Sequence, residues 1–272
     1  MKTEKYYEYL PFAINLATEA GIIQMQNYHK AHKVEWYDRQ QFRSEVDTVI
    51  GKMVREEIES AFPTHNIISE EVPEKIGDSD FTWVVDELDG TGPYLRGITD
   101  HFSFCIALCL GKKPILGVIN IPKIKQLFLA TDGMGAFVVE TFGTKKVSVN
   151  KTSDINKVWM GIDSGKFSRT AHLPYMARAL ENDGISCPLQ SGCASVPLCQ
   201  VANGQIDAYL ATSLNPEDMA AAVIINREAG AKVTNLKGEE WQLGDCSILA
   251  ANPTLHHKLS EFFRINQKGG VL

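Results

Sequence analysis

The spacing of apolar residues predicts two helices near the start of the chain. Between residues 5 and 30 apolar side chains recur every three or four positions, and Pro11 lies in the first turns, where a helix tolerates proline. A second helix is predicted from about Val46, and the "FPTH" at residues 62–65 ends it. The predicted buried face of this second helix consists of Val46, Val49, Ile50, Met53, Val54 and Ile58.

Short apolar runs after residue 65 predict a sheet. Gly111-Lys112-Lys113 and Asp132-Gly133 are typical of hairpin turns between neighbouring strands. The runs are "NIIS" (66–69), "FTWVVD" (81–86), "FSFCIALCL" (102–110), "PILGVINI" (114–121), "QLFLA" (126–130) and "AFVV" (136–139). The first part of the chain is therefore predicted to be two helices followed by a mostly antiparallel sheet.

Strands and helices alternate in the second part of the chain. Helices are predicted at residues 173–184, 193–204 and 216–230, with Gly204 and Gly230 at positions typical of C-caps. Strands are predicted at 158–163 and 206–210, and again in "AKVT" and "SILAAN". The fold class is thus α/β, with an α+β half at residues 1–145 and an α/β half at residues 146–272.

Composition and charge narrow the possible partners. Hydrophobic content of 44% and charged content of 22% are typical of a globular protein, and a net charge of −6 argues against binding a nucleic-acid polymer or an anionic membrane. No apolar run approaches the roughly 18 residues that span a bilayer, and the N-terminus lacks the apolar core of a secretory signal. The six cysteines show no C-x-x-C spacing, as expected for reduced thiols. These features predict a cytoplasmic protein.

Acidic residues stand at the ends of four apolar runs. They are Asp47 in "SEVD", Glu70 and Glu71 in "IISEE", Asp86, Glu87 and Asp89 in "WVVDELD", and Asp218 in "NPEDMAAA". Each has a structural explanation by itself: a strand end in water, a first helical turn, or, for Asp89-Gly90, a hairpin turn. Together they supply the oxygen ligands that Mg²⁺ prefers, and Gly90 and Thr91 offer N–H groups and a hydroxyl to a phosphate. The combination predicts metal-assisted phosphoryl transfer.

The same residues resemble a known family. "WVVDELDGT" is similar to the D-P-[I/L]-D-G-T signature of the inositol monophosphatase family, which are magnesium-dependent, lithium-sensitive phosphatases. Further elements resemble the family in the same order over nearly the whole chain: "SEVDTVIGKMVREEI", "IISEE", "PILGVINIP", "EDMAAAVIINREAGAKVTN" and "SILAANPTLHHKL". The resemblance implies a layered α-β-α-β-α sandwich, usually a homodimer, that hydrolyses a small phosphorylated metabolite with a metal-activated water.

The resemblance also implies roles for individual residues. Carried over position by position, the metal ligands are Glu70, Asp86, the carbonyl of Leu88, Asp89 and Asp218. The implied substrate-binding residues are Gly90, Thr91 and Asp89. Asp47, Thr91 and Glu70 are the implied catalytic residues, with Thr91 and Asp47 orienting the attacking water.

Several positions depart from the family pattern. Glu87 stands where the family has proline, so we expect its carboxylate either to face solvent or to add negative charge near the metals. Gly92 follows Thr91 where the family often has threonine, and Glu217 replaces the tryptophan before Asp218. Ala211 occupies the position of an acid that contacts ring hydroxyls in inositol phosphatases, and alanine cannot replace it in that contact.

These departures leave the substrate open. Inositol monophosphate is the family default, and related enzymes act on 3′-phosphoadenosine phosphate, fructose bisphosphate or histidinol phosphate. "DGTGPYLRG" is somewhat similar to the T-x-G-F-L-R-G of the nucleotide-directed branch, although Arg96 in it is equally consistent with a surface residue. A further alternative is a diverged member that binds metal and a phosphorylated ligand but has lost turnover through Glu87 and Glu217.

Overall fold

The computed structural model describes residues 6–30, 34–36, 42–165, 168, 170–181 and 184–263. The helices in these residues are α1 (Leu10–Asn27), α2 (Glu45–Ala61), α3 (Thr91–Arg96), α4 (Leu173–Ala179), α5 (Ser195–Ala202), α6 (Ala220–Glu228) and α7 (Pro253–Phe262). The strands are β1 (Val34–Trp36), β2 (Phe42–Ser44), β3 (Asn66–Ser69), β4 (Phe81–Asp89), β5 (Ser103–Leu110), β6 (Lys113–Ile121), β7 (Gln126–Thr131), β8 (Gly135–Glu140), β9 (Gly143–Lys146), β10 (Trp159–Asp163), β11 (Cys187–Leu189), β12 (Ala208–Ala211), β13 (Lys232–Thr234) and β14 (Ile248–Ala251).

Two large sheets and three helical layers build the fold, and β1 and β2 form a separate antiparallel pair. The larger sheet has the strand order β3-β4-β5-β6-β7-β8-β9 and is antiparallel except for the β3–β4 pair. The smaller sheet has the order β11-β10-β12-β14-β13, parallel on the β11 side and antiparallel on the β13 side. Helices α1 and α2 cover one face of the larger sheet, α5 and α6 lie between the sheets, and α4 and α7 cover the smaller sheet. The predicted α-β-α-β-α sandwich is confirmed.

The helices follow the predicted pattern with shifted ends. A capping box between Ser44 and Asp47 begins α2, and its side chains at Ile50, Val54 and Ile58 are buried at four-residue spacing. Val49 is 52% exposed, so its place on the predicted buried face was wrong. Of the predicted helix at 5–30, residue 5 lies outside the described residues, and a short 3₁₀ turn precedes α1.

The later helices are shorter than predicted. The run at 216–230 begins with the 3₁₀ turn Pro216–Asp218 before α6, and that at 193–204 is α5. Gly204 and Gly230 have φ of +71° and +91°, as expected for residues that end helices. The division near residue 145 stays a prediction, and α5 and α6 of the second half pack on the first sheet. None of the described helices is both long and apolar enough to cross a bilayer.

Strand β4 runs three residues beyond the predicted end and carries a bulge. Asp86 pairs with Cys105 and Asp89 with Ser103, so three steps along β4 match two along β5. In a regular strand, residues three apart point to opposite faces, but the extra residue brings Asp86 and Asp89 to the same face, that of their partners. The hairpin alternative for Asp89-Gly90 is wrong, because Gly90 is the N-cap of α3.

Candidate metal and phosphate site

The end of β4 opens into a cavity of about 400 Å³ that both halves of the chain line. From the first half come the end of β3, the end of β4 and the start of α3. From the second half come the end of β10, the segment before α5, and the turn before α6. The residues that line it include Glu70, Glu71, Asp89, Thr91, Asp163, Cys193, Tyr209, Asn215, Glu217 and Asp218.

Three predicted metal ligands converge beside this cavity. One carboxylate oxygen from each of Glu70, Asp86 and Asp218 lies within 4.8 Å of the others. Asp86 and Asp218 are buried, whereas Glu70 is exposed. Asp218 also accepts a hydrogen bond from the backbone N–H of Asn215 at 2.9 Å, so it serves the predicted capping function as well. Three carboxylates at this spacing repel one another, and their hard oxygen atoms fit a divalent cation such as Mg²⁺.

Asp89, the fourth predicted carboxylate ligand, contacts the start of α5. It accepts hydrogen bonds from the backbone N–H of Ser195 at 2.6 Å and of Ala194 at 3.3 Å, and the Cys193 thiol donates to it at 3.1 Å. Its side chain lines the same cavity but does not belong to the group of three carboxylates. These donors orient Asp89 and link β4 to the second half of the chain.

The predicted phosphate-binding residues lie at the start of α3. Gly90 has φ +84°, and a Cβ there would lie 2.4 Å from the carbonyl oxygen of His101, so only glycine fits. The Thr91 hydroxyl donates to the Leu88 carbonyl at 2.9 Å, and all three residues line the cavity. The predicted ligand at Leu88 therefore lies beside the predicted catalytic hydroxyl.

Asp47 lies at the start of α2 and interacts with Ser44. Its Oδ2 accepts the backbone N–H of Ser44 at 2.8 Å and also the Ser44 hydroxyl. Among the described residues no hydrogen bond joins Asp47 to Thr91, the pair expected to orient water. The pKa of Asp47 is raised to about 6, mainly by burial and in part by the nearby Glu70, although the hydrogen bonds from Ser44 lower it.

Two further acids lie close to the predicted ligands. Glu71 lines the cavity; burial, with Asp47 and Glu70, raises its pKa to about 7, although Arg43 lies 3.5 Å away. Glu87 is fully buried, and burial raises its pKa well above the ordinary value. The expectation that Glu87 faces solvent was wrong, because its side chain is buried. The alternative, that it adds negative charge near the metals, stays a prediction. Because strand residues alternate, Glu87 points to the face opposite Asp86, toward α2.

Sequence reasoning did not identify Asp163, which lines the cavity from the second half of the chain. Asp163 accepts hydrogen bonds from the Ser191 backbone at 2.9 Å, the Ser191 hydroxyl at 2.8 Å, the Gly192 backbone at 3.3 Å and the Tyr209 hydroxyl at 3.1 Å. Asp163 also pairs in register with Ala211, the position that lacks the family acid. An available signal was that Asp163 ends an apolar run, as the other acids do.

The remaining sequence-predicted residues divide between the site and the surface. Glu217 is half-buried and lines the cavity next to Asp218. Arg96 is exposed in the last turn of α3, and it is not among the residues that line the cavity. Cys105, Cys109, Cys193 and Cys199 are buried, Cys187 is half-buried and Cys246 is exposed, and the reduced state of the cysteines stays a prediction.

Comparisons with known proteins identify the family of the chain. The inositol monophosphatase family model matches residues 5–267. A fructose-1,6-bisphosphatase/inositol-1-monophosphatase of Aquifex aeolicus is 29% identical over 258 residues, which cover 93% of this chain and 94% of that protein. A Nus factor SuhB of Xylella fastidiosa is 30% identical, with 91% of each chain covered. The structure of the extragenic suppressor protein suhB from Bartonella henselae superposes with a TM-score of 0.85 at 28% identity, covering 97% of this chain and 100% of that one. The chain therefore belongs to the inositol monophosphatase family and is a phosphoric monoester hydrolase.

Proposed function

We propose that the chain is a Mg²⁺-dependent phosphatase of small polyol monophosphates, with inositol monophosphate as the family default. The observation that carries this proposal is the convergence of Glu70, Asp86 and Asp218 within 4.8 Å, beside the turn that begins α3. Carboxylates with no histidine or cysteine among them favour a hard cation over zinc or copper.

Glu70, Asp86, Asp218 and the Leu88 carbonyl would hold the cations, with Asp89 completing the set. When bound, divalent cations there would neutralise phosphate charge and lower the pKa of a water molecule. Leu88 can accept the Thr91 hydroxyl and still act as a ligand, since a carbonyl oxygen has two lone pairs. The backbone N–H groups at the start of α3 would bind phosphate oxygens.

The hydrolysis is proposed to proceed by direct attack of water. Thr91 and Asp47 would orient that water, which requires the Thr91 hydroxyl to turn away from Leu88. Cys193 is the thiol that lines the cavity, and burial together with the nearby Asp89 raises its pKa well above the ordinary value. A thiol that resists ionisation is a poor nucleophile, so no covalent phosphoenzyme is proposed.

The cavity lining favours a substrate with a single phosphate. Among the described residues that line it there is no lysine or arginine, whereas Glu217 and Asn215 carry hydrogen-bond acceptors. A second phosphate group would need a cationic partner, and hydroxyl groups suit acceptors better. A neutral polyol monophosphate is therefore favoured over fructose bisphosphate and 3′-phosphoadenosine phosphate. The name of the Aquifex aeolicus relative makes fructose bisphosphate the first rival to test.

A substrate panel tests this proposal. Inositol 1-phosphate, glycerol phosphates, fructose 1,6-bisphosphate and 3′-phosphoadenosine 5′-phosphate are compared with Mg²⁺, with excess EDTA and with Li⁺. We expect monophosphates to be preferred, EDTA to abolish turnover and Li⁺ to inhibit it. Because Ala211 cannot contact a ring hydroxyl, inositol 1-phosphate should not exceed other small monophosphates by ~100-fold, about 2.7 kcal/mol. Full turnover in EDTA would refute the metal dependence, and absence of turnover with Mg²⁺ would favour the non-catalytic alternative.

The homodimer and the cytoplasmic location expected from the sequence stay predictions. Sedimentation equilibrium of the purified protein would decide the first. Cell fractionation of a tagged chain would decide the second.

A further inference from the structure

We propose that Glu87 acts through Ser69 to position Glu70 for divalent-cation binding. Glu87 occupies the site of the family's proline, whose side chain cannot accept a hydrogen bond, so this arrangement depends on the residue in which this chain departs from its relatives. The inference rests on the metal site proposed above and adds to it a positioning residue that is not itself a ligand.

The contact begins with the Glu87 carboxyl. The Ser69 hydroxyl, at the end of β3, donates to Glu87 Oε1. Ser69 Oγ in turn accepts the backbone N–H groups of Glu71 and Val72, each at 3.3 Å. Glu70 lies inside the turn that these bonds close. The carboxyl of Glu87 therefore fixes the rotamer of Ser69, and Ser69 fixes the backbone that carries Glu70.

The surroundings of Glu87 hold it in place. A Cβ on Gly51 of α2 would lie 2.8 Å from Glu87 Oε1, so the glycine leaves the room that the carboxyl occupies. The Gln24 side chain donates to the Glu87 carbonyl at 2.8 Å, and the Tyr94 hydroxyl donates to the Gln24 carbonyl at 2.7 Å. The Glu87 backbone is thus held by Gln24 of α1, and its carboxyl lies against α2.

Glu70 needs such support more than the other two ligands. Asp86 lies within β4 and Asp218 within a capping box, and both are buried. Glu70 is exposed and follows the end of β3, which is the edge strand of the larger sheet. Its position therefore depends on the turn that Ser69 closes. Loss of an outer-shell partner of this kind typically weakens metal affinity by about 10- to 100-fold.

Three variants test the inference by thermal melting at a series of Mg²⁺ concentrations, beginning in EDTA. Glu87→Leu and Ser69→Ala remove the contact, and Glu87→Gln keeps an acceptor oxygen for Ser69. Val54→Ala is the matched control, because it removes buried volume from α2 near Gly51 without touching Ser69. The Kd for Mg²⁺, fitted from the rise of Tm with Mg²⁺ concentration, should increase ~10-fold or more in the first two variants. It should change less than about 3-fold in Glu87→Gln and Val54→Ala, although Val54→Ala lowers the Tm in EDTA.

Each result decides between the site and the inference. If wild type gains no Tm from Mg²⁺, the metal site is wrong and the inference falls with it. If the Tm of wild type rises with Mg²⁺ and Glu87→Leu and Ser69→Ala give the wild-type Kd for Mg²⁺, Glu87 is only structural. If Glu87→Gln weakens Mg²⁺ binding as much as Glu87→Leu, the hydrogen bond to Ser69 is not the cause. Should Glu87→Leu fail to fold, Ser69→Ala on the edge strand still removes the same bond.

Discussion

Asp163 and Glu71 line the same cavity, one from each half of the chain, and they differ in what surrounds their carboxylates. Asp163 accepts four hydrogen bonds from Ser191, Gly192 and Tyr209. Glu71 lies among Asp47 and Glu70, with Arg43 as its cationic neighbour at 3.5 Å. We call the first set the Asp163 network and the acids Asp47, Glu70, Glu71, Asp86 and Glu87 the acidic cluster.

This difference distinguishes buried acids that stabilise the fold from buried acids that are suited to bind a ligand. A carboxylate that accepts several hydrogen bonds is stable as an anion and stiffens the segment that supplies its donors. Acids buried beside one another destabilise the fold unless protons or cations neutralise them, and proteins keep such clusters where function needs them. The Asp163 network should therefore govern substrate positioning, and the acidic cluster should govern cation binding and turnover.

The largest expected effect comes from removing one charge of the acidic cluster. Asp86→Asn keeps the shape of the side chain, so we expect a higher Tm than wild type in EDTA, because the repulsion falls. With Mg²⁺ the variant should gain less Tm than wild type and lose ~10³-fold in kcat, about 4 kcal/mol. Thermal melts with and without Mg²⁺, together with initial rates, check this. A lower Tm in EDTA with the full gain from Mg²⁺ would mean that Asp86 only caps the turn at Leu88.

The next effect concerns the Thr91 hydroxyl at the edge of the acidic cluster. If it orients the attacking water, Thr91→Ala should lower kcat by ~10²-fold and change KM much less. Thr91→Ser, which keeps the hydroxyl, should recover most of the rate. Steady-state kinetics at saturating Mg²⁺ measure both constants. A change confined to KM would assign Thr91 to substrate binding alone.

A smaller effect of another kind is expected from the Asp163 network. Asp163→Asn replaces an anion that orders Ser191 and Gly192, and we expect KM to rise ~10-fold with kcat within about 3-fold of wild type. Asp207→Asn is the matched control, since Asp207 is also buried and accepts hydrogen bonds from Asn150 and Trp159, each at 2.7 Å, without lining the cavity. A fall in kcat with unchanged KM would remove the proposed distinction between the two regions.

The smallest effect is a pH dependence of stability in EDTA. The pKa of Asp47 is raised from 3.8 to about 6 and that of Glu71 from 4.5 to about 7, mainly by burial. At pH values between the ordinary and the raised pKa of each group, the folded state binds more protons than the unfolded state. The stability from these groups is therefore present at about pH 4 and is lost as the pH rises toward 7.

The contribution of His256 to stability changes with pH in the opposite direction, so the experiment must separate it from the contribution of Asp47. Burial lowers the pKa of His256 to about 4, so its contribution to stability grows as the pH rises toward 6.5. The measurement is therefore the difference in Tm between wild type and Asp47→Asn, taken in EDTA from pH 4 to pH 8. The Tm of wild type should fall by a few degrees relative to that of the variant as the pH rises from 4 to 7. A difference that does not change with pH would show that Asp47 is not protonated in the fold.

The sequence predicted the elements that carry the candidate site better than the contacts between those elements, and the physical reasons differ from residue to residue. The end of β3, the start of α2 and the turn before α6 were recognisable because local periodicity and caps determine them, whereas β4 ends three residues later than predicted. The bulge in β4 was not, because it depends on how Asp86 and Asp89 pair with β5. The direction of Glu87 follows from that strand and from the space beside Gly51. Neither the bulge nor the direction of Glu87 can be read from a single stretch of the sequence.

Tertiary contacts explain the other misses. Val49 satisfies the helical period, yet it is exposed because α2 packs through a narrower face than the pattern suggests. The Asp163 network joins residues from β10, β12 and the segment before α5, and only the folded chain brings them together. Which predicted ligands bind metal stays a prediction that the variants above test.

The covering of the larger sheet has a consequence for synthesis of the protein on the ribosome. All of its strands are complete at Lys146, but the two helices on one of its apolar faces end only at Ala202 and Glu228. A nascent chain therefore carries a finished set of strands with one hydrophobic face uncovered, which is the kind of surface that chaperones bind. Asp218 is made within the same late stretch. Both the closing of the core and the last carboxylate of the cation site thus wait for the same helical segment to leave the ribosome.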